Sequence, residues 1–229
     1  MSDAVQSFSR ISTIEGLRGP AGKLEAVLNS GRADAAYAAL ICHPHPKGGG
    51  TMHNKVVYHA MKALNGFGFP VLRFNFRGAG LSAGEHDHGR GEREDVLAGL
   101  QWLKQEFNLP VIFAGFSFGA SVGLRVCCPA AEVVALIALG TPVEADGRTY
   151  RYGFLAECAK PKLFVSGALD PYGPRGTLEA VVSNAAEPKK LVIVEGADHF
   201  FEGKLTFMQT AIRDWISGLL PKAAGIAPL

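Results

Sequence analysis

The chain has 229 residues, 48% of them hydrophobic and 19% charged, with 23 Lys and Arg against 21 Asp and Glu for a formal net charge of +2. This balance excludes a disordered or fibrous chain and supplies enough apolar residues for one large packed domain. The basic residues form no block, which argues against a nucleic-acid partner or an anionic membrane surface, and the continuous apolar runs, such as Val133–Leu139, are far too short to span a bilayer.

Met1–Arg10 is polar and lacks the apolar core of an export signal, so the expected location is the cytoplasm. The four cysteines point the same way. Cys127 and Cys128 are adjacent and Cys42 falls in a buried strand, a poor basis for a disulfide framework and a good one for reduced thiols packed as small core residues.

In chain order, Ile14–Arg18 and Lys23–Leu28 alternate apolar with polar residues around Gly19-Pro20-Ala21-Gly22, the pattern of an antiparallel hairpin. The period then changes. Ala35–Cys42, Pro70–Phe76, Leu109–Ala114, Val133–Leu139, Lys162–Ser166 and Lys190–Val194 are short continuous apolar runs, as expected of parallel strands covered on both faces. Helical stretches alternate with them: Lys55–Leu64, Glu92–Glu106, Phe118–Cys127, Gly176–Asn184 and Leu205–Leu219. Within Glu92–Glu106, Val96, Leu97, Leu100 and Leu103 form one apolar stripe for packing on a sheet. The roughly twenty residues of Thr141–Pro161 are too few for a helical lid domain, which predicts an open site. Residues 1–221 read as one α/β domain, and 222–229, beyond Pro221 and without periodicity, as a loose tail.

Alternation of this kind places ligands beyond the carboxyl ends of the strands. There stands Gly115-Phe116-Ser117-Phe118-Gly119, between an apolar run and a helix. A serine between glycines at a strand-to-helix turn is a candidate nucleophile, because the strained turn lifts its hydroxyl clear of the sheet. In a chain with 28 glycines the pentapeptide arises by chance in roughly one chain of six, so its setting carries the weight. A serine hydroxyl needs a base and a group to orient that base. Of the seven histidines only His199 stands between the last predicted strand and the final helix. Asp170, in the Gly/Pro-rich loop after the preceding strand, is the candidate acid; Asp198 is its competitor, but neighbouring side chains on an extended loop point apart.

The order serine, acid, histidine resembles that of the α/β-hydrolase fold. His43-Pro44-His45-Pro46-Lys47-Gly48-Gly49-Gly50-Thr51-Met52-His53-Asn54 and Phe74-Asn75-Phe76-Arg77-Gly78-Ala79-Gly80-Leu81-Ser82 are similar to signatures of small bacterial members without a lid, related to the dienelactone-hydrolase and short-peptidase-like groups. The resemblance runs from the first hairpin to the final helix. It implies a mostly parallel eight-stranded sheet with an antiparallel N-terminal hairpin, helices on both faces and no lid domain. It also implies a Ser117–His199–Asp170 triad. Dienelactone hydrolases carry cysteine where this chain has Ser117, so the closer likeness is to serine esterases acting on small acyl esters or thioesters, whose activity falls in acid as the histidine charges. Of the two oxyanion donors, one is the N–H of Phe118. Pro44 and Pro46 lack an N–H, which leaves His43, His45 and Lys47 in the loop after the third strand, and the His-Gly-X pattern of the family selects His45. Gly48-Gly49-Gly50 reads as a turn in preference to an anion nest.

Other readings compete. His43 and His45 with His86, Asp87 and His88 include metal-ligating residue types, but their spacing fits no zinc motif, and no metal or other cofactor is expected. Gly78-Ala79-Gly80 lacks the third glycine and the βαβ frame of a dinucleotide site. A non-catalytic binding module of the same fold, or a small peptidase or lactonase, stands as the alternative function. Phe67, Phe69, Phe116, Phe118, Phe154, Tyr172 and Phe200 are candidates for apolar pocket walls. Oligomeric state has no signature in the sequence.

Overall fold

The computed structural model describes residues 10–145 and 147–219. Its centre is an eight-stranded sheet: β1 (Ile11–Ile14), β2 (Ala26–Asn29), β3 (Ala38–Cys42), β4 (Val71–Phe74), β5 (Val111–Phe116), β6 (Val133–Leu139), β7 (Lys162–Gly167) and β8 (Lys189–Val194). The spatial order is β1-β2-β4-β3-β5-β6-β7-β8. From β4 to β8 every pairing is parallel, while β2 runs antiparallel to both β1 and β4. Five helices accompany it: α1 (Lys55–Asn65), α2 (Gly91–Phe107), α3 (Phe118–Cys127), α4 (Arg175–Ser183) and α5 (Leu205–Leu219).

The continuous apolar runs have the predicted cause. β3, β5 and β7 are buried at every residue because helices cover both faces. Strand alternation divides the core: Leu40, Cys42 and Phe113 face α2, α3 and α4, whereas Ala39, Ile41 and Ile112 face α1 and α5. The tail beyond residue 221 and the polar start of the chain lie outside the described residues.

Three details differ from expectation. The hairpin arms begin earlier, at Ile11, and are broken: the pair Arg18–Gly19 with Gly22–Lys23 leaves the main sheet, because Leu17 and Leu24 turn into the core beside a Leu24 N–H to Leu17 carbonyl bond of 3.0 Å. In α2, Val96, Leu100 and Leu103 are buried at spacings of four and three, but Leu97 lies off that stripe and is 43% exposed. β8 is an edge strand, buried only at Val194. Between β6 and β7 the chain forms a short pair, Glu144–Ala145 with Arg148–Thr149, and one helical turn at Gly153–Glu157, with no lid among the described residues. No helix among them is long and apolar enough to cross a membrane.

Candidate active site

Ser117 is the single residue between β5 and α3, with φ 56° and ψ −120°. A positive φ is costly for a residue with a Cβ, and it persists here because the surroundings fix it: the Ser117 N–H donates to the Leu139 carbonyl at 2.8 Å. Both flanking glycines are required by contact. A Cβ on Gly115 would stand 2.7 Å from the Ala120 backbone, and one on Gly119 would stand 2.4 Å from the His43 carbonyl oxygen. The first turn of α3 is therefore pressed against the end of β3, which brings the His43 loop to the serine.

His199 and Asp170 reach Ser117 from the loops after β8 and β7. His199 Nε2 lies 3.0 Å from Ser117 Oγ, and its Nδ1 lies 2.8 Å from Asp170 Oδ2. Asp170 is buried and accepts in addition from the Tyr172 N–H at 2.9 Å and the Ser166 hydroxyl at 3.3 Å, so its carboxylate is fixed from several sides. The competitor Asp198 accepts from the N–H groups of Phe200 and Glu202, forming the turn that presents His199. The His199 ring packs between Phe116, 4.9 Å away, and Tyr172, 4.6 Å away. Two glycines make room for it. A Cβ on Gly140, whose φ is +49°, would lie 2.8 Å from the Phe116 ring and 3.2 Å from the His199 ring; one on Gly167 would lie 2.4 Å from the carbonyls of Ala197 and Asp198. Sequence reasoning missed both, although Gly140 directly follows β6 and Gly167 ends β7.

The loop after β3 is organised by the ring of His43, for which the sequence suggested no bracing role. Its Nδ1 lies 2.7 Å from the Pro44 carbonyl, so that nitrogen carries the proton, and its Nε2 accepts from the Phe76 N–H at 2.9 Å. Burial pushes its pKa down from 6.5 to about 4, so the ring is neutral. Of the three candidate oxyanion donors in this loop, the Lys47 N–H is engaged with the His45 ring at 3.2 Å. The Gly48, Gly49 and Gly50 amides bond back to His45 and Pro46 carbonyls, which makes the triglycine a turn. The His45 ring packs on Phe118 at 4.8 Å. Phe118 opens α3, where a helix leaves its first amides without intrahelical carbonyls.

The second long motif braces this loop. Asn75 accepts from the Met52 N–H at 2.8 Å and donates to Glu25 at 2.7 Å, while Arg73 donates to the Met52 carbonyl and to Asn29, each at 2.9 Å. Gly80 is needed because a Cβ there would lie 2.3 Å from both Asn75 and Glu25. Gly78-Ala79-Gly80 thus serves a turn.

These elements enclose a cleft of about 260 Å³ whose lining includes Ser117, His199, His45, Phe118, Tyr172 and Phe200. The expected aromatic walls divide: Phe118, Tyr172 and Phe200 line it and Phe116 is buried under His199, but Phe67 and Phe69 stack on each other in the core against α1 and α5, and Phe154 covers Arg125. Among the described residues no group of three or more His, Cys, Asp or Glu is placed to hold a metal ion: His43 turns into the core while the rings of His45, His86 and His88 pack on one another. All four cysteines are free thiols.

Comparison with known proteins gives a consistent result. Residues 38–216 match the family model described as alpha/beta hydrolase domain. An uncharacterized protein of Rickettsia prowazekii is 36% identical over 207 residues, covering 86% of each chain. Among solved structures, an alpha-beta serine hydrolase homologue from Coxiella burnetii superposes with a TM-score of 0.81 at 36% identity, over 90% of this chain and 97% of that one. A lidless α/β serine hydrolase from Xanthomonas campestris gives 0.79 at 32% identity, over 95% and 97%.

Proposed function

The chain belongs to the α/β-hydrolase domain family, and from that premise we propose that it cleaves small esters or thioesters by acyl transfer through Ser117. The observation that carries the reading is the unbroken relay from Ser117 Oγ through the His199 ring to the Asp170 carboxylate, with separations of 3.0 and 2.8 Å. His199 Nδ1–H donates to Asp170, which fixes the tautomer and leaves Nε2 to accept the serine proton. Ser117 Oγ attacks the carbonyl carbon as its proton passes to Nε2. The N–H groups of Phe118 and His45 hold the negative oxygen of the tetrahedral intermediate. His199 then gives the proton to the departing alkoxide or thiolate, leaving an acyl-serine. Water attacks that acyl group, its proton going to His199 and onward to Ser117 Oγ, and the carboxylic acid departs.

The test is covalent labelling with a fluorophosphonate, alongside turnover of p-nitrophenyl and acyl-CoA esters of increasing chain length. Wild-type protein is labelled and active, and Ser117→Ala loses both. Asp170→Asn lowers kcat by about 10³-fold or more with little change in KM, because it disturbs the tautomer and not the binding walls. Folded wild-type protein that escapes labelling leaves the non-catalytic binding module as the reading, and a Ser117→Ala variant labelled equally well removes Ser117 as the nucleophile.

A further inference from the structure

Beside the catalytic cleft lies a second cavity, of about 210 Å³, with an unusual lining. Arg93 of α2, Arg125 of α3, and Arg148 and Arg151 of the segment between β6 and β7 all border it, and no described Asp or Glu does. Phe118 and Tyr150 belong to the walls of both cavities, so the arginine pocket adjoins the cleft that holds Ser117.

Two of the four guanidinium groups, those of Arg125 and Arg148, are held in place. Arg125 stacks on Phe154, its Cζ 4.6 Å from the ring centre, and donates to the Arg151 carbonyl. Arg148 Nη2 lies 3.0 Å from His88 Nδ1, and since guanidinium only donates, that histidine nitrogen accepts and Nε2–H is left as a further donor. Burial, and after it the like charge of Arg93, lowers the Arg125 pKa, so cations are being held together against their mutual repulsion. An anion between them relieves that repulsion, and planar guanidinium groups suit carboxylate and phosphate oxygens.

We propose that this pocket is an anion subsite of the enzyme: it takes a carboxylate or phosphate carried by the substrate, so that the preferred substrates are acidic esters rather than neutral ones. The proposal rests on the serine-hydrolase reading for its chemistry and on the pocket alone for its specificity. A mono-anionic ester spans the two cavities, its carbonyl at Ser117 and its anionic end among the arginines. The pocket closes on one side with the Phe118 ring, whose backbone is assigned to the oxyanion, so the two ends of the substrate are read on either side of one residue.

The experiment compares matched esters. One arm carries the anion on the acyl side, p-nitrophenyl hemiglutarate against p-nitrophenyl valerate; the other carries it on the leaving group, 4-butyryloxybenzoate against phenyl butyrate. In at least one arm, wild-type kcat/KM favours the anionic ester, inorganic phosphate competes with it, and raising the ionic strength narrows the preference. Arg93→Gln and Arg148→Gln each reduce the anionic-to-neutral ratio roughly tenfold through KM, the scale of one charge-assisted hydrogen bond. The ratio is internal to each variant, which removes differences in folded fraction, and Arg125→Gln is kept as a third variant because it also loses packing on Phe154. Neutral esters cleaved as well as anionic ones in both arms, or a preference that survives both substitutions, overturns the subsite while leaving the hydrolase reading intact. Calorimetry on Ser117→Ala separates the two failures: monomethyl glutarate binds and dimethyl glutarate does not. That result in a protein whose wild type escapes fluorophosphonate supports the anion site and removes the hydrolase; equal binding of both diesters and monoesters overturns the site.

Discussion

His43 uses both ring nitrogens to hold backbone, one at Pro44 and one at Phe76, and it can do so only while neutral. Its pKa in the fold is about 4 against 6.5 outside it, so between those values the unfolded chain binds more protons than the native one. The contribution of this residue to stability is complete above pH 6.5, declines as pH falls and is lost near pH 4; a shift of this size corresponds to about 3 kcal/mol. Urea midpoints measured across that window fall more steeply for wild type than for His43→Gln. Parallel curves for the two proteins contradict the role assigned to the ring. At the same scale, Asp170 and Asp198 show why residue type alone is ambiguous: both are loop aspartates near the histidine, and their hydrogen bonds, to the imidazole in one case and to local N–H groups in the other, separate them.

Among the elements, the junction of β5 and α3 is the most constrained. A single residue separates the end of the strand from the start of the helix, and the first turn of α3 lies against the carbonyls of Cys42 and His43 at the end of β3. Gly119→Ala puts a methyl group where backbone oxygen already stands and costs about 3 kcal/mol or more, with slower fluorophosphonate labelling as α3 is pushed from the His43 loop. Gly48→Ala, where the nearest atom to an added Cβ is 4.0 Å away, is the control and shifts the urea midpoint little. Equal midpoints for the two variants refute the close packing. The turn after β4 belongs at this scale too. Its glycines resemble a nucleotide motif on paper, but the Asn75, Glu25 and Arg73 hydrogen bonds make it the strut that fixes the loop after β3.

At the scale of the whole molecule, one sheet separates two apolar layers. Trp102 of α2 packs on the layer that holds Leu40 and Phe113, and Trp215 of α5 on the layer that holds Ile41 and Ile112. Neither layer has a second side of its own; each is completed by the same strands. Unfolding is therefore expected to be one cooperative event. The chain has two tryptophans, so Trp102→Phe and Trp215→Phe each leave a single reporter on one layer. Each variant's remaining fluorescence follows its far-ultraviolet circular dichroism through the same urea transition. A reporter that departs early in either variant demonstrates that its layer melts independently.

Period and punctuation in the sequence determined the helices and most of the strands: α3, α5 and β6 begin and end where the pattern places them, because glycine, proline or a charged residue brackets each run. The Gly-X-Ser-X-Gly turn and the order serine, acid, histidine were equally legible, since both depend on local chemistry and topology. What the sequence left undecided was proximity. His43 and Phe76, Gly140 and His199, or the four arginines around one cavity are far apart along the chain, and nothing local distinguishes a histidine that braces a loop from one that faces solvent. The break in the first hairpin and the exposure of Leu97 were decided in the same way, by what the rest of the fold left room to bury. Those contacts exist only because the sheet brings distant loops to the carboxyl ends of neighbouring strands, where burial and hydrogen bonding then fix each side chain's partner.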